Sequence, residues 1–451
     1  MVNIKKIVPL IVLIGFLFFS FGLRAKTLLL VGAAKKKITP LVETFEDKNK
    51  NGQFDFGEPF EDLNGNGKWD PVYLAGYSGG RFALGVHDDL WVRSIVITQD
   101  HQTLVFISLD LIGFLFDEVN KIEKELEEKF QLKRENIFLA STHSHSGPDS
   151  IGLWGNGGSG KDPQYMAWVR EQIVLCVEES LGHRESATLF FGKIQYSKPI
   201  EDGRPPKIID DLLLTLQAIN QKGQTIATLV NYAMHAEVLD KKNRLITSDY
   251  PGYLRETLEE KLGGISLFFA ADIGGMQTPK VFFHNFSNSK KIGEDLAHEV
   301  IQSLKNTDPM DFDALNVKSL EVFFPIENPR FLELIQSGIL GSTKEVLIEK
   351  EGKLTLPSRI SMARLGSVVF VSIPGELFPE SGNKLRSKLP YDPLFLLGLC
   401  NNEIGYIVPQ EEWRADGYEE SMSLGPKTDD ILRETIFHLS VSFDERPEWF
   451  H

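Results

Sequence analysis

The chain has 451 residues, 42% of them hydrophobic, and a formal net charge of −15. That length and apolar content fit a packed globular protein of one large domain or two ordinary ones, while the acidic balance supplies no basic face for nucleic acid and no general attraction to anionic headgroups. The two cysteines, Cys176 and Cys400, exclude a disulfide scaffold and a Cys-rich zinc site, and their own pairing is left open.

Lys5 and Lys6, an apolar run from Ile7 to Leu23, then Arg24, Ala25 and Lys26 follow the order of a secretory signal. Ser20-Phe21-Gly22 offers a small-x-small cleavage site, and the run is nearly long enough to stay in a bilayer. Residues 1–25 are expected to be a signal peptide or an N-terminal membrane anchor. Residues 26–451 are then expected outside the cytoplasm: secreted, periplasmic or anchored to the cell envelope.

A strand is expected at Thr27 to Gly32, after which residues 44–72 turn to Asp, Asn, Gly and Glu and look inserted. Asp47, Asn49, Asn51, Gly52, Asp55 and Glu58 occupy the first, third, fifth, sixth, ninth and twelfth places of the calcium-loop template. Alternate oxygen ligands wrap one hard cation there, and the glycine permits the sharp turn that aims them inward. A second copy carries Asp62, Asn64, Asn66, Gly67 and Asp70, but Tyr73 stands where the closing glutamate belongs. That loop is expected to bind calcium more weakly or to borrow a ligand. With every ligand in one short run, no coordination position is left open, so the expected role is structural; a solvated acidic turn is the plain alternative.

Strands and helices alternate from Gln102 onward. Thr103 to Leu109 and Asn136 to Ser141 are apolar strands flanking an amphipathic helix, Glu118 to Phe130, with Val119, Ile122, Leu126 and Phe130 on one stripe. Such a βαβ unit places chemistry at the carboxyl ends of its strands. Further strands are expected at 187–192, 212–218, 226–232, 265–270, 320–324, 367–373 and 394–399. Helices are expected at 164–181, 252–262, 290–304, 329–337 and 381–389. No repeat or low-complexity linker divides the chain, so one large α/β domain of mixed α+β type is expected, with sheets flanked by helices.

Four positions stand where such a fold collects ligands. In Ser141-Thr142-His143-Ser144-His145-Ser146-Gly147-Pro148, extended backbone would turn His143 and His145 to the same side. Two imidazoles there suit a metal site, one ligand beside one proton-transfer group, or simply two hydrogen-bonded histidines at a strand end. His235 ends another apolar strand, Glu376 follows a Pro374-Gly375 break, and Tyr406 follows the strand that ends near Leu399. Each of these three alone also fits a structural role.

Together with Leu74-Ala75-Gly76-Tyr77, Gly85-Val86-His87 through Arg93, Ser248-Asp249, Gly252-Tyr253, Gly398-Leu399-Cys400-Asn401, Glu411-Glu412, Tyr418-Glu419 and Leu424-Gly425-Pro426-Lys427-Thr428, these segments make the chain resemble the catalytic part of the neutral, non-lysosomal ceramidases in order and approximate spacing. The resemblance implies a zinc site of His143, His235, Glu376 and Tyr406, with His145 assisting the reaction. It also implies a water attack on the amide of a ceramide-like N-acyl lipid, within sphingolipid metabolism, giving fatty acid and amine. Three departures stand out. Gly274-Gly275-Met276-Gln277-Thr278-Pro279 replaces the family's Gly-Asp-x-Ser-Pro, leaving Thr278 as stand-in for the serine. Asp149 and Ser150 replace two glycines and are expected to contact substrate differently. No additional C-terminal β-sandwich domain is expected. The alternatives are a zinc esterase or amidase on another acylated substrate and a catalytically lapsed, calcium-stabilised surface binding protein. Oligomeric state is left open.

Overall fold

The computed structural model describes residues 29–312, 315–340 and 347–444; the expected signal or anchor segment, 1–25, lies outside them. Eight strands form the larger sheet: β1 (Leu29–Lys37), β2 (Trp91–Gln99), β3 (Gln102–Leu109), β4 (Ile137–Ser141), β5 (Glu185–Gln195), β6 (Leu212–Asn220), β7 (Thr225–Tyr232) and β8 (Ile265–Ala270), ordered β8-β7-β6-β5-β1-β2-β3-β4. The pairs β3/β4 and β7/β8 are parallel and the others antiparallel. Among the described residues, Leu30↔Ser186 and Val31↔Glu185 are the strand pairs that join the two halves. The halves curl about this short ladder until β8 lies against β2 and β3, where Ser108 Oγ donates to the Phe268 carbonyl at 2.6 Å and the Arg93 guanidinium donates to the Ser266 carbonyl at 3.1 Å. Curling brings the ends of β4 and β7 to one place.

A second, five-stranded sheet contains β9 (Leu315–Pro325), β10 (Lys353–Leu365), β11 (Val368–Ser372) and β12 (Leu394–Leu397), with Ile348–Lys350 on its edge. The sheets pack face to face through Phe106, Phe138 and Phe269 on one side and Phe370, Phe395 and Leu397 on the other. Helices α1 (Phe116–Phe130), α2 (Pro163–Gly182), α3 (Tyr250–Leu262) and α4 (Phe286–Ser303) cover the outer face of the larger sheet. Helix α5 (Pro329–Gln336), α6 (Pro379–Lys388) and α7 (Thr428–Asp444) cover the second. The result is a helix–sheet–sheet–helix stack, one of the few ways to bury both faces of two sheets. Cys176 and Cys400 are buried, free, and in different cores. No described helix is long and apolar enough to cross a membrane.

The mixed α/β class agrees with expectation, and so do most elements. Strands β2 and β10 and helix α7 were not expected. Strand β2 is buried along nearly its whole length, including Arg93 and Ser94, so it lacks the polar–apolar alternation that marks a strand. Strand β10 contains Pro357, Arg359 and Arg364, residues that argue against a strand in sequence. Thr27 and Leu28 of the expected first strand lie outside the described residues, and the strand runs further than expected, to Lys37, with Lys35 and Lys36 pairing with Glu259 and Glu179.

Candidate active site

Four chain segments meet beyond the ends of β4, β7 and β8. After β4 the chain passes through His143, whose φ of 63° breaks the extended run. It then forms a parallel bridge from Ser144 to Ala236, the residue after His235, and His145 N donates to the Ala236 carbonyl at 3.1 Å. The His235 segment is held from behind by Tyr250, whose hydroxyl donates to the Met234 carbonyl at 2.6 Å. Glu376 and Tyr406 arrive from the second sheet as partners in a short parallel pairing. One turn joins all of these. Gly398 N donates to the Ala270 carbonyl at 2.8 Å, Cys400 bridges Ala140, and Leu399 N donates to the Gly375 carbonyl at 3.2 Å.

The ring nitrogens of His143, His145 and His235 available as ligands lie within 4.8 Å of one another. Nδ1 of His143 is 2.6 Å from the Ile112 carbonyl, and Nδ1 of His235 is 2.8 Å from that of Gln277. A carbonyl only accepts, so both Nδ1 atoms carry protons, and in the neutral rings each Nε2 presents a lone pair. Those lone pairs face Glu376 Oε2, at 3.7 Å from His143 Nε2 and 3.1 Å from His235 Nε2. Electron-rich donors converging on one buried point call for a cation, and two imidazoles with a carboxylate suit zinc. Without one, burial lowers the His143 pKa. Burial also opposes protonation of His235, but its hydrogen bond to Glu376, with the Glu237 charge, outweighs this and raises its pKa to about 9. Burial pushes the Glu376 carboxyl up, and His143, His235 and the Tyr406 hydroxyl together bring it below the usual carboxylate range. His145 differs: both ring nitrogens are buried without a hydrogen bond, and burial beside two other imidazoles holds its pKa well below the ordinary value. His143, His145, Glu376 and Tyr406 keep only 5–8% exposure, so the cluster is largely shielded from solvent.

No family model matches the chain. It is 20% identical over 471 residues to a neutral ceramidase of Pseudomonas aeruginosa, a match covering 83% of this chain and 70% of that relative. A neutral ceramidase of Drosophila pseudoobscura pseudoobscura matches at 22% over 197 residues, 39% of this chain and 28% of the relative. The crystal structure of neutral ceramidase from Pseudomonas aeruginosa superposes with a TM-score of 0.72 at 19% identity, covering 93% of this chain and 75% of that one. A ceramidase complexed with C2 gives 0.73 at 17%, covering 93% and 76%. This chain is a relative of the neutral ceramidases.

The remaining candidates, Thr278, Asp149 and Ser150, are each engaged by partners outside the histidine cluster. Thr278 pairs with Glu201 in a two-stranded ribbon, and it is the neighbouring Gln277 whose carbonyl meets His235. Asp149 spends both carboxylate oxygens on the N–H groups of Ile151, Gly152 and Trp154, and Ser150 Oγ donates to the Gly113 carbonyl. Both side chains hold the loop together. Two glutamates escaped the sequence reading. Glu237 Oε2 lies 3.2 Å from His145 Nδ1, out of hydrogen-bond alignment, and 3.5 Å from the Tyr77 hydroxyl. No template marks it; only its place two residues after His235 points to it.

The second is Glu43. In the first inserted loop Glu58 is buried and accepts from Lys48 N at 2.8 Å and Asp55 N at 2.9 Å. In the second loop the buried Glu43 accepts from Leu63 N at 2.9 Å and Asp70 N at 2.8 Å, the equivalent two positions. Asn49 and Asn51 turn their amides to Asp55 as Asn64 and Asn66 do to Asp70. The loops are therefore alike, with Glu43 standing where Tyr73 cannot.

Proposed function

We propose that this chain is a zinc-dependent hydrolase that adds water across the amide bond of an N-acyl lipid of ceramide type, breaking the acyl C–N bond to give a fatty acid and an amine. The observation that carries this reading is the convergence of His143, His235, Glu376 and Tyr406 from four distant parts of the sequence, in a chain related to neutral ceramidases. Zinc held by these four would supply a Lewis acid and a water acidified to a pKa of roughly 7.

The other groups have roles that follow from their positions. His145, with no hydrogen bond on either nitrogen, is free to take a proton and return it to the leaving nitrogen. The Tyr77 ring packs edge-on to it at 5.1 Å and orients it. The Tyr406 hydroxyl, beside Glu376, can donate to a developing oxyanion. Burial of the cluster excludes bulk water, which strengthens each of these interactions. We further propose that residues 1–25 carry the protein out of the cytoplasm, and that Glu58 and Glu43 each close one structural calcium loop.

Zinc content and fatty acid released from ceramide, measured by mass spectrometry, test the reading. Wild type is expected to hold one zinc per chain and turn over. His235→Ala should lose both zinc and turnover. His145→Ala should keep zinc and slow by about a hundredfold or more, the range of general acid–base catalysis. Equal zinc loss in both variants would reverse the assignment of the two-histidine motif, and a wild-type protein that binds no zinc would end it.

A further inference from the structure

Phe282 and Phe283 are 89% and 63% exposed, with ring centroids 4.8 Å apart. They form the tip of the loop between Gln277–Pro279 and α4. The loop backbone is firmly held: Lys280 N donates to the Pro199 carbonyl at 2.7 Å, His284 Nδ1 lies 3.0 Å from the Val238 carbonyl, and Asn288 Nδ2 donates to the Phe283 carbonyl at 2.6 Å. Two phenyl rings are thus presented to water by a fixed frame. On the chain facing Arg244 to Ile246, Leu84 and Val86 are also 46% and 42% exposed, next to and within a short strand that pairs with Leu245 and Ile246. A hollow of about 520 Å³ under the tip is lined by Leu239, Asp240, Lys242, Asn243 and Phe286.

The charge of this face differs from that of the whole chain. Lys241, Lys242 and Lys280 are exposed and have no carboxylate at ion-pair distance among the described residues; Asp240 lines the hollow, and Glu201 stands opposite Thr278 in the ribbon that leads to the loop. The tip is also close to the candidate site: Gln277, before it, contacts His235, and Val238, which it grips, is three residues beyond. Aromatic rings fringed by free lysines match the boundary of a bilayer with anionic headgroups, rings among the acyl chains and ammonium groups outside.

We infer that Phe282 and Phe283 dock the protein on an anionic lipid surface, with Lys241, Lys242 and Lys280 against the headgroups. The choice of a bilayer as occupant rests on the lipid-hydrolase reading above. A full-length Phe283→Cys protein labelled with an environment-sensitive dye reports on this loop alone, whatever the N-terminal segment does, because Cys176 and Cys400 are buried. Emission should shift to the blue with vesicles of phosphatidylcholine and phosphatidylserine, less with phosphatidylcholine alone, and less again after Lys241→Glu/Lys242→Glu/Lys280→Glu. Phe282→Ser/Phe283→Ser should cut turnover of vesicle-borne ceramide by about tenfold or more and leave a water-soluble short-chain N-acyl amide unaffected. No dye response to either vesicle, or a solution mass that falls from dimer to monomer in the double serine variant, would overturn the inference. Dye insertion does not require catalysis, so a protein that docks but cleaves no amide keeps this inference and loses the hydrolase reading.

Discussion

Gly76 has φ +98°, and a Cβ on it would stand 2.4 Å from the His145 ring. The glycine is required twice, once by a backbone conformation that L residues avoid and once by the imidazole packed on it. Gly76→Ala should therefore move His145 without touching the proposed zinc ligands His143, His235, Glu376 and Tyr406. We expect turnover to fall by about ten- to a hundredfold, since small misplacements of a catalytic group have effects of that size, while zinc content stays at the wild-type level; loss of zinc would show that His145 belongs among the ligands. The sequence marked His143 and His145 as a pair by the period of an extended strand. His143 is in fact left-handed, and the rings meet at 4.9 Å because the Ser144↔Ala236 bridge draws the segment onto the His235 strand. Glu376 and Tyr406 were legible only through family resemblance, because no local rule pairs a residue after Pro-Gly with one thirty positions later. Glu237 carried no signal beyond its place two residues after His235, since its importance lies in what surrounds it.

Residues 44–72 fold around an aromatic cluster completed by Phe82, with Trp69 at 4.7 Å from Phe54, 5.2 Å from Phe45 and 5.0 Å from Phe82. That cluster lets Glu43, upstream of both loops, reach the second. The calcium template counts forward from its first aspartate, so a closing carboxylate supplied from behind falls outside it. Two sites of similar strength are expected in place of one strong and one weak. Titration calorimetry should find two calcium ions per wild-type chain and one in either Glu43→Gln or Glu58→Gln. Each variant should melt at a lower temperature than wild type in calcium buffer, because an ion bound only by the folded state stabilises it by an amount that grows with the logarithm of free ion over Kd. Chelator should bring all three closer together in melting temperature. A Glu43→Gln protein that still binds two ions would remove Glu43 from the site.

The two sheets were each visible as runs of apolar residues, but their mutual packing was not, because the contacts that join them are separated by hundreds of positions. Asn401 is the clearest case. With φ 64° and no exposure, it lies alongside β4 as an extra partner. Its N–H donates to the Leu139 carbonyl at 2.7 Å, its Oδ1 accepts from Leu139 N at 2.9 Å, and its Nδ2 donates to the Ile137 carbonyl at 3.0 Å. It thereby ties the edge of the larger sheet to the turn that follows β12 and leads to Tyr406. Asn401→Gly would leave one buried N–H and one buried carbonyl unpaired, at about 1–3 kcal/mol each. Asn401→Ala would add about 1–2 kcal/mol for the left-handed backbone. Guanidinium denaturation should show midpoints falling in the order wild type, glycine variant, alanine variant. If this contact joins the two sheets into one cooperative unit, near-ultraviolet and far-ultraviolet signals should shift together in wild type and separate in the alanine variant. Coincident curves in all three proteins would mean that the aromatic face between the sheets, centred on Phe106, Phe370 and Phe395, couples them without help from the turn.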